Sequence, residues 1–279
     1  MVRIITDTAG SMSVAEGAAL GITVLPLTIS LEHATYLDTV EITCNDFVKY
    51  LRSGKLATSS QPAPGLVIEA FESASAENPI VYVAAGDGLS GTYASACAVR
   101  STMDNLEHIH VFDSRTVCGP EAAMARMAKR MANSGASVSE ILTALEDAST
   151  THKSYLIPQD LDYLKRGGRL TPAAAKVVGL LGLVPTITQT PDMKRLEKAF
   201  IARGFAKVVE KCIEGFKRNG VDESYNITIT HADNKLQALQ ARDKLRDAFP
   251  KCEYIISELP CALANQGGPM CVAIQACKR

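Results

Sequence analysis

Residues 86–92 read GDGLSGT, and their types and spacing suit three kinds of chemistry. Gly86, Gly88 and Gly91 form G-x-G-x-x-G, which lets backbone approach a dinucleotide pyrophosphate at a helix start. Asp113 falls about 20 residues beyond Gly91, where that fold places the acid that binds a ribose. Asp87 argues against this reading, because it sets a negative charge inside the loop. Ser90 lies in G-x-S-x-T, one residue short of a nucleophile elbow, and no histidine stands in a motif that would complete a triad. The third reading is plain anion binding. A Gly-rich turn at a helix start offers N–H donors and the positive end of the helix dipole, and Ser90 adds a hydroxyl. The run TSSQPAPG (58–65) contributes Thr58, Ser59 and Ser60 as further neutral donors, suited to one carboxylate or phosphate.

The elements that must position these residues follow from hydrophobic pattern and punctuation. VRIIT reads as a strand ending in Asp7-Thr8, and GITVLPLTIS as a second apolar run. Phe47, Val48 and Leu51 share a helical face, as do Leu66, Val67, Ala70 and Phe71 behind Pro64. The strand IVYVAA, a helix from about Gly91, the strand HIHVFDS and helices over PEAAMARMAKRMANSG and SVSEILTALEDAST complete the first half. Strands alternating with helices predict a parallel sheet covered on both faces. The polar clusters TDT (6–8), TSSQPAPG, GDGLSGT and DSR (113–115) fall at strand ends, where open α/β sheets bind ligands. From HKSYLIP onwards the texture changes to a short helix at QDLDYLKRGGRLTP, the apolar AAAKVVGLLGLVP, and further strands and helices. The expected organisation is an α/β domain over 1–150 and an α+β domain over 151–279.

The chain has 279 residues, 47% hydrophobic and 21% charged, with a formal net charge of −1. That balance gives no field to attract nucleic acid. The start lacks a signal-peptide pattern and no apolar run is long enough to span a bilayer, so a cytoplasmic protein is expected. Eight cysteines without a C-x-x-C pair read as buried thiols. His108 and His110 share a strand face but find no third ligand nearby in sequence, so no metal is expected.

TSSQPAPG, GLSGTYASA, DSR and above all LDYLKRGGRL resemble the motifs of the DegV family, bacterial fatty-acid-binding proteins that present acyl chains to a fatty acid kinase. IITDTAG and GGPM extend the resemblance over essentially the whole chain. It implies two domains enclosing a long-chain fatty acid such as palmitate, without a cofactor and without turnover by the chain itself. It also implies that Ser59 and Ser90 hold the carboxylate, helped by Gln266, Thr58, Ser60, Gly91 and Thr92. Gly86 and Asp87 are then expected to be incidental to the site, with Leu89 facing apolar surroundings. Arg169 is expected to meet an acyl phosphate, a partner or lipid headgroups, or to cap its own helix, and Arg203 is grouped with it. Lys165 and Arg166 would form a basic rim for transient contact with a membrane surface. AAAKVVGLLGLVP would supply part of the tunnel wall.

The chain departs from the family pattern in NQGGP, where Gln266 occupies the position of a histidine, and in VPTI (184–187). Glutamine donates through its amide but does not titrate. The alternatives left open are a serine hydrolase or nucleotide-dependent transferase acting on acyl substrates, and a lipid sensor without a kinase partner.

Overall fold

Adjacent apolar residues on the first strand face opposite ways, and this alternation sets the layers. The computed structural model describes residues 1–176 and 182–279. In order, the described elements are β1 (Arg3–Asp7), α1 (Val14–Leu20), β2 (Thr23–Leu25), β3 (Thr28–Ser30), β4 (Thr35–Leu37), α2 (Cys44–Arg52), β5 (Thr58–Ser60), α3 (Pro64–Glu72) and β6 (Ile80–Ala84). Next come α4 (Thr92–Arg100), β7 (Ile109–Asp113), α5 (Gly119–Asn133), α6 (Val138–Thr151), β8 (Lys153–Ile157), α7 (Leu161–Gly167), α8 (Pro172–Ala175) and β9 (Leu183–Gln189). The chain ends with β10 (Leu196–Arg203), α9 (Phe205–Arg218), β11 (Tyr225–His231), α10 (Lys235–Ala248), β12 (Glu253–Glu258), α11 (Cys261–Gly267) and β13 (Val272–Lys278).

A parallel sheet of order β2-β1-β6-β7 carries Ile5 and Tyr82 towards Phe71 of α3 and Val99 of α4. Its other face carries Ile4, Val81 and Val83 towards Met124 of α5 and Ile141 of α6. Burying both faces is what makes these strands apolar throughout, as a doubly covered parallel sheet requires. The fold is mixed α/β, and every strand after residue 150 belongs to a six-stranded sheet of order β10-β9-β8-β13-β11-β12. Phe216 of α9 and Leu245 of α10 cover one face of this second sheet against Ile229 and Ile274.

Helix α5 packs on β1 of the first sheet and on β13 and β11 of the second. It is therefore enclosed on both sides, which explains its run of small residues: Ala122, Ala123, Ala125, Ala128 and Ala132 are all buried. A Cβ at Gly119 would collide with the Thr228 side chain, so the helix start meets β11 at backbone distance.

The sequence pattern misses the third sheet, the antiparallel β4-β3-β5. GITVLPLTIS is two strands in two sheets, parted at Pro26, whose missing N–H interrupts a ladder. TSSQP is likewise not only a turn cluster at a strand end, because Thr58–Ser60 is itself strand β5, with Ser59 opposite Ile29. The eight cysteines are free thiols, seven of them buried. Among the described residues no helix is long and apolar enough to cross a membrane.

Candidate functional site

The loop after β6 is fixed from three sides. Gly86 N–H donates to Thr116 O at 2.7 Å, and a Cβ at Gly86 would lie 2.5 Å from Thr116 N. Asp87 N–H donates to Asp113 Oδ1 at 3.0 Å, while its carboxylate faces Lys194 at 3.6 Å. Gly88 has φ +84°, and a Cβ there would lie 2.7 Å from Lys194 O in the β9–β10 turn. Gly86 and Asp87 are thus not incidental. They clamp the loop between the Asp113–Thr116 segment and the β9–β10 turn, so that Leu89, Ser90 and Gly91 project into a cavity.

That cavity lies between β5, α11, the Leu89–Gly91 loop and the six-stranded sheet, and is partly open to solvent. Leu27, Leu156, Leu164, Ile187, Leu196 and Leu263 give it an apolar wall. Ser59, Ser60, Ser90, Gly91, Arg169 and Gln266 all line it, although they come from four separate stretches of chain. Arg169 is the one charged side chain among the described lining residues.

The side chains at this end are individually positioned. Ser90 Oγ lies 2.9 Å from Thr92 Oγ1 and accepts from Thr92 N–H at 3.3 Å. Thr92 is buried behind Ser90 and does not line the cavity. Arg169 Nε donates to Leu89 O at 3.0 Å and its NH1 donates to Gly167 O, so it ties the α7 end to the loop. It caps its own helix and reaches the cavity together. Gln266 Oε1 is buried without a hydrogen-bond partner. Gln61 was not singled out from sequence; its Oε1 would lie 3.2 Å from a Cβ on Gly91, so it bridges β5 and the loop. Its place beside Ser59 and Ser60 in SSQP was the available signal.

Two expected residues stand elsewhere. Thr58 opens on an adjoining pocket with Leu56, Tyr163 and Arg166, which shares Ser59, Arg169 and Gln266 with the cavity and in which the Arg166 guanidinium lies 4.5 Å from the Tyr163 ring centre. Arg203 is exposed at the far end of β10, roughly 20 Å along the strand from Leu196, and does not line the cavity. The reason is strand length: β10 runs eight residues from the cavity edge before it ends at Arg203. Of AAAKVVGLLGLVP, residues 177–181 lie outside the described residues; Ala174 packs with Leu164, Leu170 and Ile187.

The two other readings of the loop fail on geometry. Asp113 Oδ1 accepts from Asp87 N–H and, at 2.8 Å, from Arg115 N–H, so it serves as a turn acceptor and not as a ribose ligand. None of the five histidines is among the described residues lining the cavity, and the hydroxyl nearest Ser90 is that of Thr92. Among the described residues no group of three His, Cys, Asp or Glu could hold a metal ion. Asp7, from TDT, is buried and accepts from Ala9 N–H, Ala85 N–H and Tyr82 Oη. Burial pushes its carboxyl up to about 6 against those donors. Glu121, whose Oε1 accepts from Thr6, is raised well above the usual range by burial and by the neighbouring Asp7.

The profile of a family described as uncharacterised protein, DegV family, matches residues 1–279. A DegV domain-containing protein of Caldanaerobacter subterraneus subsp. tengcongensis is 29% identical, covering 96% of this chain and 95% of that relative. A fatty-acid-binding DegV family protein from Thermus thermophilus superposes with a TM-score of 0.89 at 26% identity, over 100% of this chain and 99% of that one. DegV of Bacillus subtilis, a fatty acid binding protein, shares the fold at a TM-score of 0.85 and 24% identity, over 100% and 99%. With a match from the first residue to the last, the chain belongs to the DegV family.

Proposed function

We propose that this chain binds a long-chain fatty acid in the cavity, with Ser59 and Ser90 on its carboxylate and Gln266, Ser60 and Gly91 beside them. The observation that carries the reading is the convergence of these neutral donors with Arg169 on one cavity that also has an apolar wall of leucines and Ile187. The Thermus thermophilus relative supports it.

Burying an acyl chain gains about 0.8 kcal/mol per CH₂, so ~16 carbons gain on the order of 10 kcal/mol before costs. A carboxylate taken out of water needs several donors in compensation. Two hydroxyls, an amide and a guanidinium meet that need. Arg169 supplies the counter-charge and, being held by Leu89 O and Gly167 O, comes already oriented.

The chain itself carries no turnover in this reading. It presents its carboxylate to a fatty acid kinase that forms the acyl phosphate, and it works in the cytoplasm. The adjoining pocket, with Thr58, Arg166 and the exposed Leu56, suits transient contact with lipid headgroups during loading. Residues 1–150 and 151–279 act as the two domains around the ligand. Gln266 holds an oxygen through its amide and cannot shuttle a proton, so any proton transfer during phosphorylation falls to the partner.

Denaturing the purified protein and analysing the released lipid by mass spectrometry is the direct test. A bound long-chain fatty acid is expected. Finding none, with no uptake of added palmitate, would overturn the proposal.

A further inference from the structure

The six-stranded sheet presents two unlike rows of side chains to the cavity. Leu156 on β8 pairs with Ile187 on β9 and with Ala273 on β13, and all three line the cavity as an apolar row. Ser154, Gln189 and Gln275 each lie two residues from that row, on the same face, and also line the cavity. Three strands, far apart in sequence, therefore place a polar residue in one neighbouring row. An unsubstituted hydrocarbon chain gives such a row nothing to bind.

Both glutamine amides are spent on the protein. Gln275 Oε1 accepts from Gly119 N–H at 3.0 Å, and its Nε2 donates to Val117 O at 3.3 Å and Ser154 Oγ at 2.9 Å. Gln189 Nε2 donates to Arg115 O at 2.7 Å, and its Oε1 accepts from Thr116 Oγ1 at 3.4 Å. These bonds fix the start of α5 and the Asp113–Thr116 segment, and that role accounts for the glutamines. It does not account for Ser154. Its hydroxyl accepts from Gln275, donates to no side chain or carbonyl among the described residues, and belongs to a residue that lines the cavity, so it keeps a donor free for a ligand.

Resting on the fatty-acid reading above, we infer that the preferred ligand carries an oxygen substituent along its chain, as a hydroxy or oxo fatty acid, and that Ser154 recognises it. A plain hydrocarbon against Ser154 leaves a donor unmet or traps a water. An acyl oxygen beside Ser154 accepts the hydrogen bond of its hydroxyl. The row thus selects the position of the oxygen along the chain, while the carboxylate end stays with Ser59 and Ser90.

The test titrates delipidated protein with hexadecanoic acid and with monohydroxy and oxo hexadecanoic acids substituted near the carboxylate, mid-chain and at the terminal carbon. One positional isomer is expected to bind about tenfold tighter than hexadecanoic acid. Ser154→Ala is expected to collapse that ratio, and Ser154→Thr, which keeps the hydroxyl and suits a strand, to retain it. The inference is overturned if every substituted acid binds more weakly than hexadecanoic acid. It is also overturned if Ser154→Ala weakens all the acids equally, which would put the carboxylate itself on this row. Binding of none of the acids would overturn the fatty-acid reading and this inference with it; binding of hexadecanoic acid alone would overturn only the inference.

Discussion

Gly167, the last residue of α7, lies so close to Gln266 of α11 that a Cβ there would overlap Gln266 Oε1. The glycine is not required by backbone conformation, because the left-handed residue of this turn is Gly168, at φ +73°. It is required by the neighbour. Gly167→Ala adds helix propensity of up to about 1 kcal/mol, while the long Gln266 side chain escapes the overlap by rotating. The expected outcome is an unchanged or slightly raised melting temperature with fatty-acid affinity reduced several-fold. An unchanged affinity in a calorimetric titration would remove Gln266 from the ligand contacts.

Ser90 and Thr92 form a pair in which only Ser90 meets the cavity. Ser90→Ala leaves a carboxylate short of one donor and is expected to weaken palmitate binding by ~1–3 kcal/mol. Thr92→Val removes the partner that orients Ser90 and is expected to cost less, with no further loss when combined with Ser90→Ala. Additive losses in that double-mutant cycle would give Thr92 a direct ligand contact, against its burial behind Ser90.

Much of the first sheet was legible because its strands are buried on both faces and so read as apolar runs. Ser59 and Ser90 were legible as neutral donors in their own loops, whereas Arg169 and Gln266 were singled out only through motif resemblance, and all four share one cavity through tertiary packing. The third sheet was hidden because β5 reads Thr-Ser-Ser, polar letters that propensity assigns to a turn, and because it pairs only with β3. Ser154, Gln189 and Gln275 were hidden for a different reason. Each is ordinary in its own strand, and only the register between β8, β9 and β13 puts them in one row. Arg203, grouped with Arg169 from sequence, stands apart from it at the exposed end of β10.

Gly88 joins two parts of the cavity wall that the sequence separates by about a hundred residues. Gly88→Ala meets two penalties, a side chain at φ +84° and a Cβ 2.7 Å from Lys194 O. The first costs roughly 1–2 kcal/mol and the second pushes the β9–β10 turn away from the loop. The variant is expected to lose stability in urea denaturation and to bind fatty acid more weakly, whereas Lys194→Ala, which removes only an exposed ion pair, should change stability by less than about 1 kcal/mol. Equal effects of the two substitutions would show that charge, and not close approach, holds the turn.

His152, between α6 and β8, is buried with neither ring nitrogen hydrogen-bonded. Burial, with Lys153 and Arg115 nearby, brings its imidazole down from 6.5 to about 4. The unfolded chain therefore takes up this proton before the folded one, and stability falls as pH drops from about 6.5 towards 4. Asp7 and Glu121 act in the opposite direction. Their carboxyls hold protons in the folded state that the unfolded chain releases, so the cost of Asp7 grows as pH rises from about 3.8 through 6, and that of Glu121 grows with pH above its ordinary 4.5. The two windows overlap, and the opposing slopes partly cancel in the wild type. His152→Leu removes one side of the balance. Its stability gain over wild type is expected to increase by about 2 kcal/mol between pH 7.5 and pH 5. Glu121→Gln removes most of the other side and should raise stability more at pH 7.5 than at pH 5. Urea denaturation at both pH values checks the pair of signs; parallel pH profiles for wild type and His152→Leu would mean that the imidazole titrates freely in the folded chain.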